Sequence, residues 1–311
     1  MSSVTIAPAN ASRSFWQGKR VLVTGASGFL GGHLLASLKG GADLTAISRT
    51  ERSSDGVRWH NIDLRDFEAV KQIFRGVRPQ IVFHMSSLAN GSRDIELVRP
   101  IFEAEVVSTL NVLLAADVSS IERIVLAGSL EEPAGNDTPN SPYAAAKASS
   151  RHFARMFHLV YQRPIVMTRL YMAYGAHQPA YKIIPYVLST LRCGRSPKIA
   201  SPDRLVDWIY APDAVDGLLA AAYSPNVEGL SLDIGSGELH SISEVAEILR
   251  AIVAPAVPLR FGTSTPSVRE QVRKADADLT ERLTGWRART SLEQGLRLTA
   301  ELWSAPGSVM K

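Results

Sequence analysis

From Lys19 to Arg169 the chain alternates short β-branched runs with segments whose apolar residues recur at helical spacing, and that rhythm leaves few folds open. A strand, a crossover helix and a second strand place helices on the faces of a parallel sheet. KRVLVTG, DLTAIS, VRWHNID, PQIVFHMSS, ERIVLAGS and PIVMTRL read as six strands. The fifth, ERIVLAGS, is as apolar as a strand covered on both faces should be. FLGGHLLASLKGG, DFEAVKQIFRG, PIFEAEVVSTLNVLLAAD and the stretch from Pro142 to Gln162 read as helices. The fold class is therefore α/β.

Beyond Arg169 the rhythm breaks. Pro and Gly become frequent, and only SLDIGSG followed by SISEVAEILRAIV restores a strand and a helix. The expected organisation is a flexible leader over residues 1–17, an α/β domain over 18–173, and a smaller lobe over 174–311 that is partly interleaved with it, with a ligand cleft between the lobes. Composition narrows the function classes. At 45% hydrophobic and 21% charged over 311 residues, neither disorder nor a repeat array is favoured. A single cysteine, Cys193, rules out an intrachain disulfide and makes the cytoplasm the expected compartment. The seven histidines lack metal-ligand spacing, so no metal is expected. No apolar run reaches the roughly 18 residues of a membrane span. The net charge of +4 is scattered, which gives no support to nucleic-acid binding and suits an anionic small molecule.

TGASGFLG sets Gly25, Gly28 and Gly31 directly after the first strand and at the opening of a helix. Glycines there permit a tight turn and a close backbone approach to a pyrophosphate, which the free N–H groups of the helix receive. At the end of the second strand an NAD-binding chain usually carries an acid for the ribose hydroxyls, but AISRT offers Ser48 and Arg49, with Arg52 beyond. Arg49 with Ser48 could hold the 2′-phosphate of NADP(H), which is favoured over NAD(H). Asp63, in NIDLRD, is placed to face the adenine edge.

In SPYAAAK, Tyr143 and Lys147 stand one helical turn apart. A phenol near pKa 10 is a poor acid or base at neutral pH, and an ammonium beside it brings that value towards the working range. The pair follows the fifth strand, where strand ends converge on one crevice.

Taken together, TGASGFLG, NIDLRD, RPQIVFHMSS, SPYAAAK, RLYMAYG, VDWIYAPDAV, LDIGSG and a closing LTGW span almost the whole chain. The chain resembles the extended short-chain dehydrogenases/reductases, the group of NAD(P)-dependent nucleotide-sugar epimerases, dehydratases and reductases. The resemblance implies a Rossmann-type, doubly wound parallel sheet and a C-terminal substrate-binding lobe. It implies Tyr143 as acid/base, Lys147 as its partner, and a serine after the fifth strand. Ser129 is the serine favoured, although counting back from Gly135 puts Leu130 at that place. Cofactor contacts are implied for Gly25, Ser27, Gly28, Phe29, Leu30, Gly31, Ser48, Arg49, Asp63, Leu64, Ser86, Ser87, Tyr143, Lys147 and Tyr171. Substrate contacts are implied for Ser129, Tyr143, Met172, Lys198, Arg204, Arg269 and Arg273. Met172 stands where the family has Asn, and Val206 where it commonly has Arg. Glu131 and Glu132 do not cleanly reproduce the acid pair of the dehydratases and read as exposed loop charges. The function expected is NADPH-dependent reduction of the 4-keto group of a 4-keto-6-deoxy nucleotide sugar. The alternatives are a nucleotide-sugar 4-epimerase and a non-catalytic dinucleotide-binding scaffold. A homodimer packed through the helix at Pro100–Asp117 and the helix carrying Tyr143 is implied as well.

Overall fold

The computed structural model describes residues 14–116, 120–135, 137–262 and 272–303. They form two compact units, the first built from residues up to Leu170 together with Val215–Asp233 and Asp278–Trp286, the second from Tyr171–Ala214, Ile234–Ala277 and the segment from Arg287.

The first unit carries strands β1 (Arg20–Thr24), β2 (Asp43–Ser48), β3 (Val57–Asn61), β4 (Ile81–His84), β5 (Arg123–Ser129) and β6 (Ile165–Leu170). They pair in parallel in the order β3-β2-β1-β4-β5-β6, and a later strand, Ser231–Ile234, extends the sheet beside β6. The order reverses between β1 and β4, so the loops that leave these two strands diverge and open a crevice at their carboxyl ends. Helices α1 (Phe29–Leu38) and α2 (Phe67–Val77) supply crossovers. Leu22, Ile47, Phe74, Val82, Ile124, Phe157 and Ile165 form a buried core between sheet and helices. Trp16, at the end of the expected leader, is buried 6.1 Å from Phe83, while residues 1–13 of that leader lie outside the described residues.

The helix expected from Pro100 differs in detail. It begins earlier, as α3 (Val98–Phe102), widens into a π-helical turn over Glu103–Val107, and resumes as α4 (Ser108–Ala115). Asp117 lies outside the described residues. Helix α5 (Pro142–Tyr161) follows β5. Its start is written in its sequence: the Ser141 hydroxyl caps the Ala144 N–H at 3.1 Å, and Pro142 opens the first turn, where its missing donor costs nothing.

The second unit carries β7 (Met172–Tyr174), α6 (Ile183–Arg192), β8 (Lys198–Ile199), β9 (Leu205–Tyr210), β10 (Leu239–Ser241), α7 (Ile242–Val253) and α8 (Leu292–Leu302). Tyr174, Trp208, Leu188, Leu249 and Leu296 fill its core. Asp207, buried on β9, accepts from the N–H groups of Ser236, Gly237 and Ala275 and from the Ser236 hydroxyl, and so folds the LDIGSG loop back onto the sheet. No helix among the described residues is long and apolar enough to cross a membrane.

Candidate active site

The cradle forms where β1 hands over to α1. Gly25 has φ +65°, and a Cβ on it would stand 2.6 Å from the Met85 carbonyl carbon, so only glycine lets the loop after β4 pass this close. A Cβ on Gly31 would overlap the Gly25 carbonyl oxygen. Helix α1 starts at Gly28 with no side-chain cap and no acid in its first turn. The backbone N–H groups of Phe29, Leu30 and Gly31 therefore keep their affinity for an anion.

A cavity of about 450 Å³ adjoins this cradle. Gly25, Ser27 and Gly28 line it from β1 and α1, Ser48 and Arg49 from β2, Asp63 and Leu64 from the loop after β3, and Ser86 and Ser87 from the loop after β4. The Ser48 hydroxyl reaches the Ser27 hydroxyl at 3.3 Å and accepts from the Thr50 N–H at 3.2 Å. Arg49 has no ion-pair partner among the described residues. Asp63 is held below the usual carboxylate range by a fork from Arg65, with contacts of 2.6–3.0 Å. Arg65 continues to Glu103 at 3.0 Å, and Glu103 to Arg99 at 2.9 Å. Arg65, Arg99 and Glu103 line the same cavity and were not anticipated from sequence; as charged residues in polar segments they gave no signal.

Deeper in the same unit, Tyr143 and Lys147 are buried on α5, with Ile101, Val106 and Ala146 packed against the phenol. Lys147 Nζ donates to the Ala127 carbonyl at 2.8 Å and pairs with Glu105 Oε2 at 2.8 Å. Burial alone would depress the ammonium, but Glu105, Tyr143 and Glu132 outweigh it and hold Lys147 above the ordinary lysine range. Ser129 ends β5, and its hydroxyl accepts from the Glu131 N–H at 3.2 Å. The hydroxyls of Ser87 and Ser129 face the phenol.

Two expectations are corrected by this geometry. Lys147 does favour phenolate, but burial and then Glu105 oppose it, and the Tyr143 phenol stands above, not below, its ordinary value. Glu132 is not an exposed loop charge. It is 2% exposed, accepts the Ser129 N–H at 2.8 Å, and pairs with Arg151 Nε at 2.9 Å. The turn after Ser129 folds its carboxylate back beneath the strand, where burial raises it above the usual range.

Not every expected residue joins the site. Phe29, Leu30, Gly31, Ser129, Tyr143 and Lys147 of the first unit do not line the cavity, and neither does Tyr171: the chain leaves β6 at Leu170, and the Tyr171 hydroxyl donates to the Lys274 carbonyl within the second unit. Met172 on β7, exposed Lys198 on β8, and half-buried Arg204 and Arg273 also belong to that unit. Arg269 lies outside the described residues. Glu105, missed from sequence, did carry a signal. Counted at helical spacing it falls on the face of Ile101 and Val112, a carboxylate within an apolar stripe.

Known proteins match this architecture along nearly the whole chain. A curated dTDP-glucose 4,6-dehydratase of Haemophilus influenzae is 25% identical, with 90% of this chain and 96% of the relative covered. A UDP-glucuronate 4-epimerase of Thermodesulfobacterium geofontis is 24% identical, with 91% and 95% covered. The solved structure of the Bordetella bronchiseptica enzyme WbmF in complex with NAD+ and UDP superposes with a TM-score of 0.82 at 21% identity, covering 93% of each chain. The family model described as "NAD dependent epimerase/dehydratase family" matches residues 21–235, from the start of β1 through the cradle and the Tyr143 helix, and the chain belongs to that family.

Proposed function

We propose that the protein is an NADPH-dependent reductase of the 4-keto group of a nucleotide sugar, of the 4-keto-6-deoxy class. The observation that carries the cofactor half is Arg49, set in the cavity wall beside Ser48 with no carboxylate at the end of β2. A guanidinium there suits a 2′-phosphate, whereas an acid would repel it. Bound in this cavity, NADPH supplies the hydride.

The chain's own residues supply the rest. The glycine turn and first helical turn receive the pyrophosphate, and Ser48 with Arg49 the ribose phosphate. Lys147 carries three N–H donors, two of them engaged by Ala127 and Glu105, which leaves one for a cofactor ribose hydroxyl. Ser129 orients the substrate carbonyl. The carbonyl carbon gains hydride while its oxygen takes the Tyr143 proton, and solvent restores the phenol. Glu132, engaged by Ser129 and Arg151, is not free for the acid–base work of a dehydration. Met172, Lys198, Arg204, Arg269 and Arg273 are proposed to contact the substrate, as the family resemblance implies.

The 4-epimerase reading stays in view because curated relatives include one, and it would use the same Tyr143 and Lys147. A homodimer is proposed through α3, α4 and α5, which expose Val98, Phe102, Leu114 and Phe153, and sedimentation tests it. The proposed compartment is the cytoplasm. The deciding experiment mixes the protein with NADPH and a panel of 4-keto-6-deoxy nucleotide sugars and follows reduced-cofactor absorbance. Stoichiometric NADPH loss, reduced about 10²–10⁴-fold by Tyr143→Phe, is expected. No loss with any member, with NAD(P) retained through purification, would overturn the reductase reading and favour the epimerase.

A further inference from the structure

The buried carboxylate under the catalytic pair is the feature that the reading above leaves unexplained. Glu105 is 1% exposed. Its Oε1 accepts from the Ser87 hydroxyl and the Leu88 N–H, each at 2.7 Å, and its Oε2 meets Lys147 at 2.8 Å. Its backbone is equally committed, because the Glu105 carbonyl accepts from the Thr109 hydroxyl at 2.6 Å and from Ser150 of α5 at 3.2 Å. The π-helical turn over Glu103–Val107 carries this residue, and such widened turns gather at functional sites. A buried charge pair is held this firmly only when its remaining hydrogen bonds are met, as they are here.

The charges around the phenol define what Glu105 does. Lys147 approaches the Tyr143 ring at 5.8 Å to its centroid. Beyond Lys147, the ionisable groups among the described residues around it include Glu105 on the π-helical turn, Glu132 after β5, Arg151 on α5, Arg169 on β6, which pairs with Asp233, and His84 at the end of β4. His84 is buried between the hydroxyls of Thr24 and Thr109 and stays neutral. Glu132 is matched by Arg151. Lys147 is thus the cation that acts on the phenol, and Glu105 sits directly on it.

We propose that Glu105 is a positioning residue that balances the Lys147 ammonium and keeps Tyr143 a phenol, so that the site starts each cycle as a proton donor. This deepens the reductase reading and rests on it for the direction of the reaction. Adding hydride to a carbonyl leaves an oxygen that needs a proton, and a phenol has one to give.

The test needs no substrate, so it stands or falls separately from the reductase reading. Phenolate absorbance of the full-length protein is titrated with pH, and subtraction of Tyr143→Phe isolates Tyr143, with circular dichroism marking any alkaline unfolding. In Glu105→Gln the Tyr143 transition is expected at lower pH than in the wild type, and Glu105→Asp is expected to restore it. An unchanged transition in folded Glu105→Gln overturns the proposal and leaves Glu105 a purely structural group. If Glu105→Gln does not fold, the double variant Glu105→Gln/Lys147→Gln buries no unpaired charge and decides the matter. Two cancelling charges removed together leave the transition where the wild type has it. A transition moved to higher pH shows that Lys147 acted uncompensated, and overturns the proposal.

Discussion

Among the charge clusters that the described residues of the first unit form, one lies beneath Tyr143 and another at the rim of the cavity beside the glycine turn. The rim cluster joins Asp63, Arg65, Glu103 and Arg99 in a chain of ion pairs whose members mostly face water. The inner cluster joins Lys147 to Glu105 with both side chains at 6% exposure or less. The contacts are equally short, yet water screens the first and is excluded from the second. Ion pairs at a surface set charge and orientation, whereas a pair out of water fixes protonation states and becomes costly to break.

The largest effect expected from this contrast is on stability. Lys147→Met leaves Glu105 buried without its cation and should cost about 3–5 kcal/mol in denaturant unfolding, and Lys147→Met/Glu105→Leu should recover most of that loss. A double variant no more stable than the single would show that the cost lies in packing.

A smaller effect comes from His84, whose imidazole burial holds down to about 3 against an ordinary 6.5. Below pH 6.5 the unfolded chain takes a proton that the native state refuses. His84 therefore leaves stability intact above pH 6.5 and erodes it as pH falls towards 3. By linkage the loss between pH 8 and pH 5 is about 2 kcal/mol, and His84→Gln should flatten that slope.

Cofactor choice comes next. Arg49→Ala should weaken NADPH about tenfold or more while leaving NADH within about twofold, as titration of the bound cofactor would record. Equal losses for both cofactors would remove the phosphate-binding role. Smallest of all, Arg65→Gln should leave the unfolding midpoint unchanged at physiological salt. A shift as large as that of Lys147→Met would abolish the distinction between rim and interior.

Much of the inner site was legible because local rules write it. Strand, glycine turn and helix follow one another in TGASGFLG, and Tyr143 with Lys147 lie one turn apart on a helix whose cap and proline are explicit. Glu105 and Glu132 were not legible in role, because their partners come from far along the chain or from a loop turning back. Lys147 is 42 residues after Glu105, and Arg151 reaches Glu132 from another element. The π-helical turn was also hidden, since side-chain spacing reads the same until one turn is widened by its contacts. The Tyr171 hydroxyl's partner was hidden for the same reason as those of Glu105 and Glu132, because the Lys274 carbonyl that it bonds comes from far along the chain.

Arg123 on β5 is buried, and it donates to the carbonyls of Ala221 and Ser224 and pairs with Glu228 at 2.6 Å. Those acceptors come from the returning segment Val215–Asp233, which also lays a strand beside β6. The first unit is therefore not a cassette that ends near residue 170. A fragment cut there would expose a sheet edge and strand a guanidinium in the interior, so recombination or domain swapping of this unit must carry the later segment with it.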